Sequence, residues 1–313
     1  MSSGNQTSVI EFMMLGFPNH PGLLALYFAL LLIAYLITMM GNITFFILTR
    51  SDPRLNTPMY FLLANLSLLD ICYISVTVPK ILANLMSKKR SVTYAGCMVQ
   101  LYFIIFLEGT ECFLLAGMAV DRYLAICKPL QYNTIMNKGV CSMLVLGSIV
   151  GGAAHSLLHT LLICWLPFCT TTEINHFFCD IPPLLKLSCG STYVNEIVLY
   201  TVSGVFVGLG PFIFIFVSYI CIVFAIIRKM SAEGRSKVFS TCTSHLLVVA
   251  LFYGSGSFTY VRPASHYALE HDKQISLFYN VLTPMLNPMI YSLRNNEVKT
   301  SLKIAIRRYC AHS

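Results

Sequence analysis

The chain has 313 residues, of which 56% are hydrophobic and only 11% charged, with a formal net charge of +8. An average soluble domain carries about 25% charged residues, so the composition excludes a soluble globule, with or without a single anchor, and describes a polytopic membrane protein. The basic residues are scattered through short connections rather than gathered on one face, which excludes nucleic acid as the partner and points to an anionic lipid leaflet instead.

Residues 1–22 are polar to mixed and hold no Lys or Arg, so no cleavable signal with a basic start is expected. Asn5-Gln6-Thr7 is an N-glycosylation sequon, usable with the N-terminus outside. Asn42-Ile43-Thr44 and Asn65-Leu66-Ser67 lie inside apolar runs and are not usable. Seven long apolar segments follow, near 23–49, 57–86, 95–127, 140–166, 195–228, 238–262 and 272–293. Each is long enough to span a bilayer. With the N-terminus outside, 14 Lys and Arg face inward and 7 outward; the Lys88-Lys89-Arg90 cluster works against the rule, but the majority sets the orientation. The expected architecture is an all-α membrane protein. It is one domain over 1–313, with an extracellular N-terminus (1–22), a seven-helix bundle (23–293) and a cytoplasmic tail (294–313).

The third segment carries the most information. From Cys97 to Arg122 is 25 residues, about 37 Å of helix against a hydrocarbon core of about 30 Å. One helix therefore places Cys97 at one face and Asp121-Arg122 at the other. Taken alone, that charge pair reads equally as a stop-transfer cluster or as a switch. The connection Pro167–Tyr193 holds Cys169, Cys179 and Cys189; with Cys97 these make four cysteines on the oxidising face, which allow three pairings. The other eight (Cys72, Cys112, Cys127, Cys141, Cys164, Cys221, Cys242 and Cys310) read as buried small apolar residues, and no Cys/His spacing suggests zinc. Residues 295–309 read as a short amphipathic helix on the inner leaflet.

Acidic groups within a membrane are costly, so each needs a reason. Asp70, Glu111, Asn42 and Asn287 form either a shared site for a cation or a neutral packing network of protonated acids. Glu108 lies about 16 Å below Cys97 on the stripe Ile104, Glu108, Cys112, with Ile105 alongside. It reads either as a polar anchor in an otherwise apolar outer cavity or as a partner of His155 or His159. Pro79, Pro211, Pro284 and Pro288 lie inside helices. The segment Pro284–Tyr291 is either a pivot or a static bend.

Several stretches, in order and spacing, carry a resemblance: Asn56 to Phe61 leading to Asn65 to Asp70; Met118 to Cys127; Ser218-Tyr219; Lys237 to Leu246; and Pro284 to Asn295. The chain resembles the olfactory (odorant) receptors of the rhodopsin-like G-protein-coupled class, of the tetrapod (class II) type. The resemblance implies disulfides Cys97–Cys179 and Cys169–Cys189. It implies that Asp121 restrains Arg122 at rest, and that Arg122, Tyr123 and Tyr219 with the inner ends of the fifth and sixth helices meet a G protein. His245, Asn287 and Tyr291 would belong to the switch, Asp70 and Glu111 to a sodium position, and Tyr253 to the floor of an odorant pocket. By spacing, the pocket walls would include Ile104, Ile105, Glu108, Cys112, Ser203, Val207, Gly256, Tyr260, Ser276 and Asn280. The chain departs from the family at Val120, where Tyr usually precedes Asp-Arg-Tyr, and at Asn56, Val238 and Asn296; Glu108 is not part of the family signature.

The expected function is activation of a stimulatory (Gs/olf-type) G protein, raising cAMP, when a small, volatile, mostly apolar odorant binds, at the plasma membrane. No cofactor is expected beyond a structural Na+. The alternatives are a chemosensory receptor for a metabolite outside the nose, and a secondary transporter with Asp70, Glu108 and Glu111 as its ion path. Against the transporter stands the lack of a detectable inverted repeat. No nucleophile–base pair is arranged by local spacing, so an enzyme is not expected.

Overall fold

The computed structural model describes residues 11–17, 20–169, 172–229, 232–260 and 269–312, with the side chains of 229, 232–237, 239–241, 255, 257–260, 269–272, 279, 293–294, 296 and 308–312 outside that set. The elements in chain order are β1 (Glu11–Met14), α1 (Pro21–Ser51), α2 (Pro58–Met86), β2 (Ser91–Thr93), α3 (Tyr94–Cys127), α4 (Pro129–Ile135), α5 (Lys138–Cys164), β3 (Glu173–Ile174), α6 (Ile181–Leu187), α7 (Tyr193–Val198), α8 (Gly210–Lys229), α9 (Ala232–Tyr260), α10 (Leu269–Arg294) and α11 (Asn296–His312). A π-helical stretch, Leu199–Leu209, joins α7 to α8 as one rod. The spans α1, α2, α3, α5 and Tyr193–Arg228 are each long and apolar enough to cross a membrane; α9 adds the apolar run Cys242–Gly254. With α10 packed against α1, α2 and α9, these form a seven-helix membrane bundle.

The helix starts are written into the sequence. Thr57 and Thr93 accept from the backbone N–H groups of Tyr60 and Gly96, and Asn137 from that of Val140, so each turns the chain into α2, α3 and α5 and completes an orphan donor. The π-helical stretch ends where Gly210 donates to the Val205 carbonyl, one residue before Pro211. Pro211 has no N–H to continue the ladder, so the widened turns stop against it.

One end of the bundle is closed by a small sheet of order β2-β1-β3. Strand β1 runs antiparallel to β2, with Phe12 opposite Val92, and parallel to β3. No strand is expected within the polar-to-mixed residues 1–22, but the alternation Glu11-Phe12-Met13-Met14 buries Phe12 and Met14 under the sheet. Cys97 is bonded to Cys179 and Cys169 to Cys189, which leaves one of the three pairings. The basic cluster that opposed the orientation rule has local work here. Lys89 pairs with Glu11 at 2.5 Å, and the Arg90 guanidinium lies over the Phe17 ring at 5.4 Å. His176 is buried beneath the sheet and hydrogen-bonded to the Phe178 carbonyl at 3.1 Å. Burial pushes its pKa down to about 4, opposed by that carbonyl and reinforced by nearby Lys273.

The cysteine expectation needs correction. Cys112, Cys141 and Cys242 are buried, but Cys72, Cys164 and Cys221 are exposed on the outside of the bundle. A thiol is apolar enough to face hydrocarbon, so an interior position is not required of it. The Cys310 side chain and the Asn5 sequon lie outside the described residues. Asn42 and Asn65 are within α1 and α2, each donating to a carbonyl one turn back.

The tightest joint is between α3 and α5. A Cβ built on Gly152 would stand 2.2 Å from Thr110 Oγ1, 2.7 Å from the Phe106 carbonyl oxygen and 2.8 Å from the Thr110 backbone nitrogen, whereas one on Gly147 meets nothing within 4 Å. Backbone atoms cannot step aside, so Gly152→Ala is expected to destabilise the receptor by about 1–3 kcal/mol, read as a lower melting temperature in detergent, while Gly147→Ala leaves it unchanged. Equal melting temperatures for the two variants would mean that the joint is not closed at this glycine.

Candidate functional site

Three polar groupings run down α3, each completed by a different neighbour. At the end away from the sheet, Arg122 Nε and Nη2 donate to Asp121 Oδ2 at 3.1 and 2.8 Å. The other carboxylate oxygen, Oδ1, accepts from the Tyr132 hydroxyl of α4 at 2.7 Å. Asp121 is fully buried, so its charge is sustained by these two partners and not by water. Burial, with Asp121 beside it, pushes the Tyr132 phenol well above its usual range. Beside this latch the Tyr219 hydroxyl and His245 Nδ1 share a hydrogen bond of 2.8 Å, joining α8 to α9, and Arg122 is near enough to act on both electrostatically. Asp121, Arg122, Tyr219 and His245 are thus brought together. Tyr123 is half-buried against the apolar cluster at this end.

At mid-depth, Asn287 Nδ2 donates to both oxygens of Asp70 at 3.1 Å. Asn42 Nδ2 donates to the Pro284 carbonyl at 3.0 Å. The reason is covalent: the helical donor for that carbonyl would be the N–H of residue 288, and Pro288 has none, so α1 supplies it. Glu111 Oε1, Asn42 Oδ1 and Asn287 Oδ1 are buried without a hydrogen-bond partner among the described residues. Two carboxylates and two amide oxygens, three of these oxygens without a donor among the described residues, are oxygen ligands of the kind a hard cation takes. Tyr291 is buried below, its ring 6.2 Å from that of Phe45.

Towards the sheet, the Glu108 carboxylate accepts from the Tyr73 hydroxyl at 3.0 Å. Of the two readings left open for Glu108, the pairing with His155 or His159 is not the one found. The helical phase of α3 turns Glu108 towards α2, and the two histidines, one turn apart on α5, converge instead on Ser203: its Oγ lies 2.8 Å from His155 Nε2 and 2.7 Å from His159 Nε2. Ile104 and Ile105 are sealed in the apolar cluster beneath the sheet. Cys112 lies against Tyr253, whose ring is 5.1 Å from Phe212. Val207 is buried on the π-helical stretch; Ser276 is buried on α10, and Asn280, one turn further, is half-buried. A Cβ on Gly256 would meet nothing within 4 Å, so α9 borders open space there. The Tyr260 side chain lies outside the described residues.

Sequence reasoning missed three contributors. Tyr132 lies ten residues beyond Arg122, in a connection that carries no motif. Tyr73 was within reach, because it stands one turn beyond Asp70 on the same face of α2. The docking of α11 was also missed: Tyr60 Oη donates to Glu297 Oε2 at 2.9 Å, and Arg54 donates to Ser301 Oγ at 3.2 Å.

Seven membrane helices, a disulfide-tied lid at one end and an Asp–Arg latch at the other define a receptor of the G-protein-coupled class. The chain belongs to the olfactory receptor family: residues 31–308 match the family model described as Olfactory receptor. It is similar to olfactory receptor 2G3 of Homo sapiens, 48% identical over 97% of this chain and 98% of that protein. It is also similar to olfactory receptor 8B8 of Mus musculus, 48% identical over 96% of this chain and 97% of that one. The olfactory receptor-like protein OLF1 of Canis lupus familiaris is 48% identical over 97% of each chain. The chain is therefore a receptor and not an enzyme.

Proposed function

We propose that the chain binds small, volatile, mostly apolar molecules between α3, the π-helical stretch with α8, α9 and α10, and that binding activates a stimulatory G protein of the olfactory type and raises cAMP. The observation that carries this reading is α3 itself, a continuous rod with Glu108 near the sheet and the Asp121–Arg122–Tyr132 latch at its far end. A ligand that favours one arrangement of the rod's upper contacts shifts the population of the lower ones. The two disulfides favour an oxidising surrounding at the sheet end, hence an extracellular N-terminus at the plasma membrane. Lipid at the opposite leaflet meets the basic face of α11. Mostly apolar odorants offer few directional contacts, so broad selectivity and modest affinity are expected.

In a cAMP reporter assay over a chemically diverse odorant panel, Arg122→Ala abolishes the response at unchanged surface expression. Tyr132→Phe removes one of the two partners of the buried carboxylate and raises the ligand-free signal by about two- to tenfold. A full agonist response from surface-expressed Arg122→Ala would overturn the G-protein reading.

A sodium ion held by Asp70 and Glu111 would occupy the acceptor-rich centre and add rigidity to the resting bundle. The purified receptor then melts at a higher temperature in sodium than in choline at equal ionic strength, and Asp70→Asn abolishes the difference. A parent protein indifferent to the exchange would remove the ion from the account.

Glu108 would pair with an amine or another hydrogen-bonding group on the odorant. Glu108→Gln is expected to weaken such agonists by about tenfold. It should leave pure hydrocarbon-like agonists unaffected, and Tyr73→Phe separates loss of the tyrosine bond from loss of charge. Unaltered dose–response curves for every agonist would exclude this role.

A further inference from the structure

A cavity of about 740 Å³ lies at the sheet end, away from the proposed odorant pocket, between β1, the first turns of α1, the end of α2 and the connection Ser87–Arg90. Its volume is in the range of small-molecule sites, roughly 300–1,000 Å³. One wall is apolar, formed by Met14, Phe17, Leu24, Leu85 and Met86. The other is polar and carries Ser87, Lys88, Arg90 and Asn175; the Ser87 hydroxyl is engaged locally with the backbone of Lys89.

The polar wall is one-sided. Among the described residues no Asp or Glu lines the cavity, and neither Lys88 nor Arg90 has a carboxylate within ion-pair distance. The nearby acid, Glu11, is already paired with Lys89. Arg90 is held in place by its lean on the Phe17 ring. The Asn175 side-chain oxygen already accepts from Lys273 Nζ at 3.0 Å, and its amide N–H groups are donors available to a ligand. Two cations without a carboxylate partner, with an amide and a hydroxyl beside them, therefore stand against an apolar wall. An acceptor-only head and an apolar tail satisfy both walls at once: a carboxylate takes charge-assisted hydrogen bonds, and the tail removes thioether, aliphatic and aromatic surface from water.

We infer that this cavity binds a medium-chain carboxylic acid, with the carboxylate at Lys88 and Arg90 and the chain between the N-terminal strand and the ends of α1 and α2. The site is separate from the proposed odorant pocket and does not depend on it. An anionic lipid headgroup shares the chemistry of the head, and the test distinguishes it from the free acid.

The experiment is equilibrium binding of radiolabelled octanoate to the full-length receptor in phosphatidylcholine nanodiscs. Saturable binding is expected, displaced by unlabelled octanoate and about tenfold less effectively by octanol of the same chain length. Each methylene removed from the competing acid should weaken displacement by about fourfold. Lys88→Gln with Arg90→Gln should weaken binding by about tenfold. Lys88→Gln alone alters an exposed side chain, leaves the melting temperature unchanged and should weaken binding by about threefold. Octanol as effective as octanoate, or parent-like binding by Lys88→Gln and by the double variant, overturns the proposal. Nanodiscs containing phosphatidylserine supply the last arm: unchanged octanoate binding supports the free acid, and its loss there identifies a lipid headgroup as occupant and overturns it.

Discussion

Hydrocarbon offers no water to complete a hydrogen bond, so every polar group inside this bundle has to be completed by another part of the chain. The pairing of Asn42 with the Pro284 carbonyl shows the constraint at its simplest. Pro288 removes a donor from α10, and α1 returns it from Asn42, 242 positions before Pro284. The same logic fixes how α2 meets α10 through Asp70 and Asn287, and how α5 meets the π-helical stretch through two histidines and one serine. Apolar contact holds the helices together without selecting a register; these bonds select one, because a helix that slid by a turn would strand each of them.

Placed along α3, the same constraint becomes a line of communication. The helix is pinned at its first turns by the disulfide to Cys179 and at its far end by a buried carboxylate shared between Arg122 and Tyr132. Between them, Glu108 engages α2, and the face bearing Cys112 meets Tyr253 of α9. Movement of α9 relative to α3 therefore acts on the Tyr253 contact at one level and on the neighbourhood of Arg122, through His245 and Tyr219, at another. The two levels are parts of the same pair of helices, and a discrete rearrangement can include both because packed interiors have few intermediate states.

The bundle was legible in the sequence because membrane spans declare themselves by length and composition: the seven apolar runs fall within a few residues of the helices observed. The charged pair at Asp121-Arg122 stood out against its apolar run, but spacing alone left it equally a stop-transfer cluster or a switch, and its partner Tyr132 was not readable. What escaped was whatever depends on helical phase or on pairing between distant segments. Glu108 lies on a stripe that spacing alone aims at the interior, yet spacing does not say which neighbour waits there, and Tyr73 rather than His155 or His159 does. Strand β1 has four residues, too short for periodicity to register, and its partners lie some 80 and 160 residues away. Exposed Cys72, Cys164 and Cys221 show a further limit: in lipid, apolarity no longer distinguishes inside from outside.

The π-helical stretch Leu199–Leu209 makes the phase problem concrete. Each widened turn carries more residues than the 3.6 of an α-helix, so side chains that would share a face under α spacing are rotated apart. Ser203 and Val207, four residues apart, were placed on one wall by α spacing. In the structure Ser203 is held sideways by His155 and His159 of α5, and Val207 is buried. An α-helix there would move Ser203 off the two imidazoles and leave both rings without the acceptor or donor they share, at a cost of about 1–3 kcal/mol for each stranded group in a dry interior. The histidines thus favour the irregular helix, and Pro211 fixes where it must end. The wall this rod presents to its neighbours is set by that pair of constraints, and no reading that assumes a uniform helix between residues 193 and 229 can reproduce it.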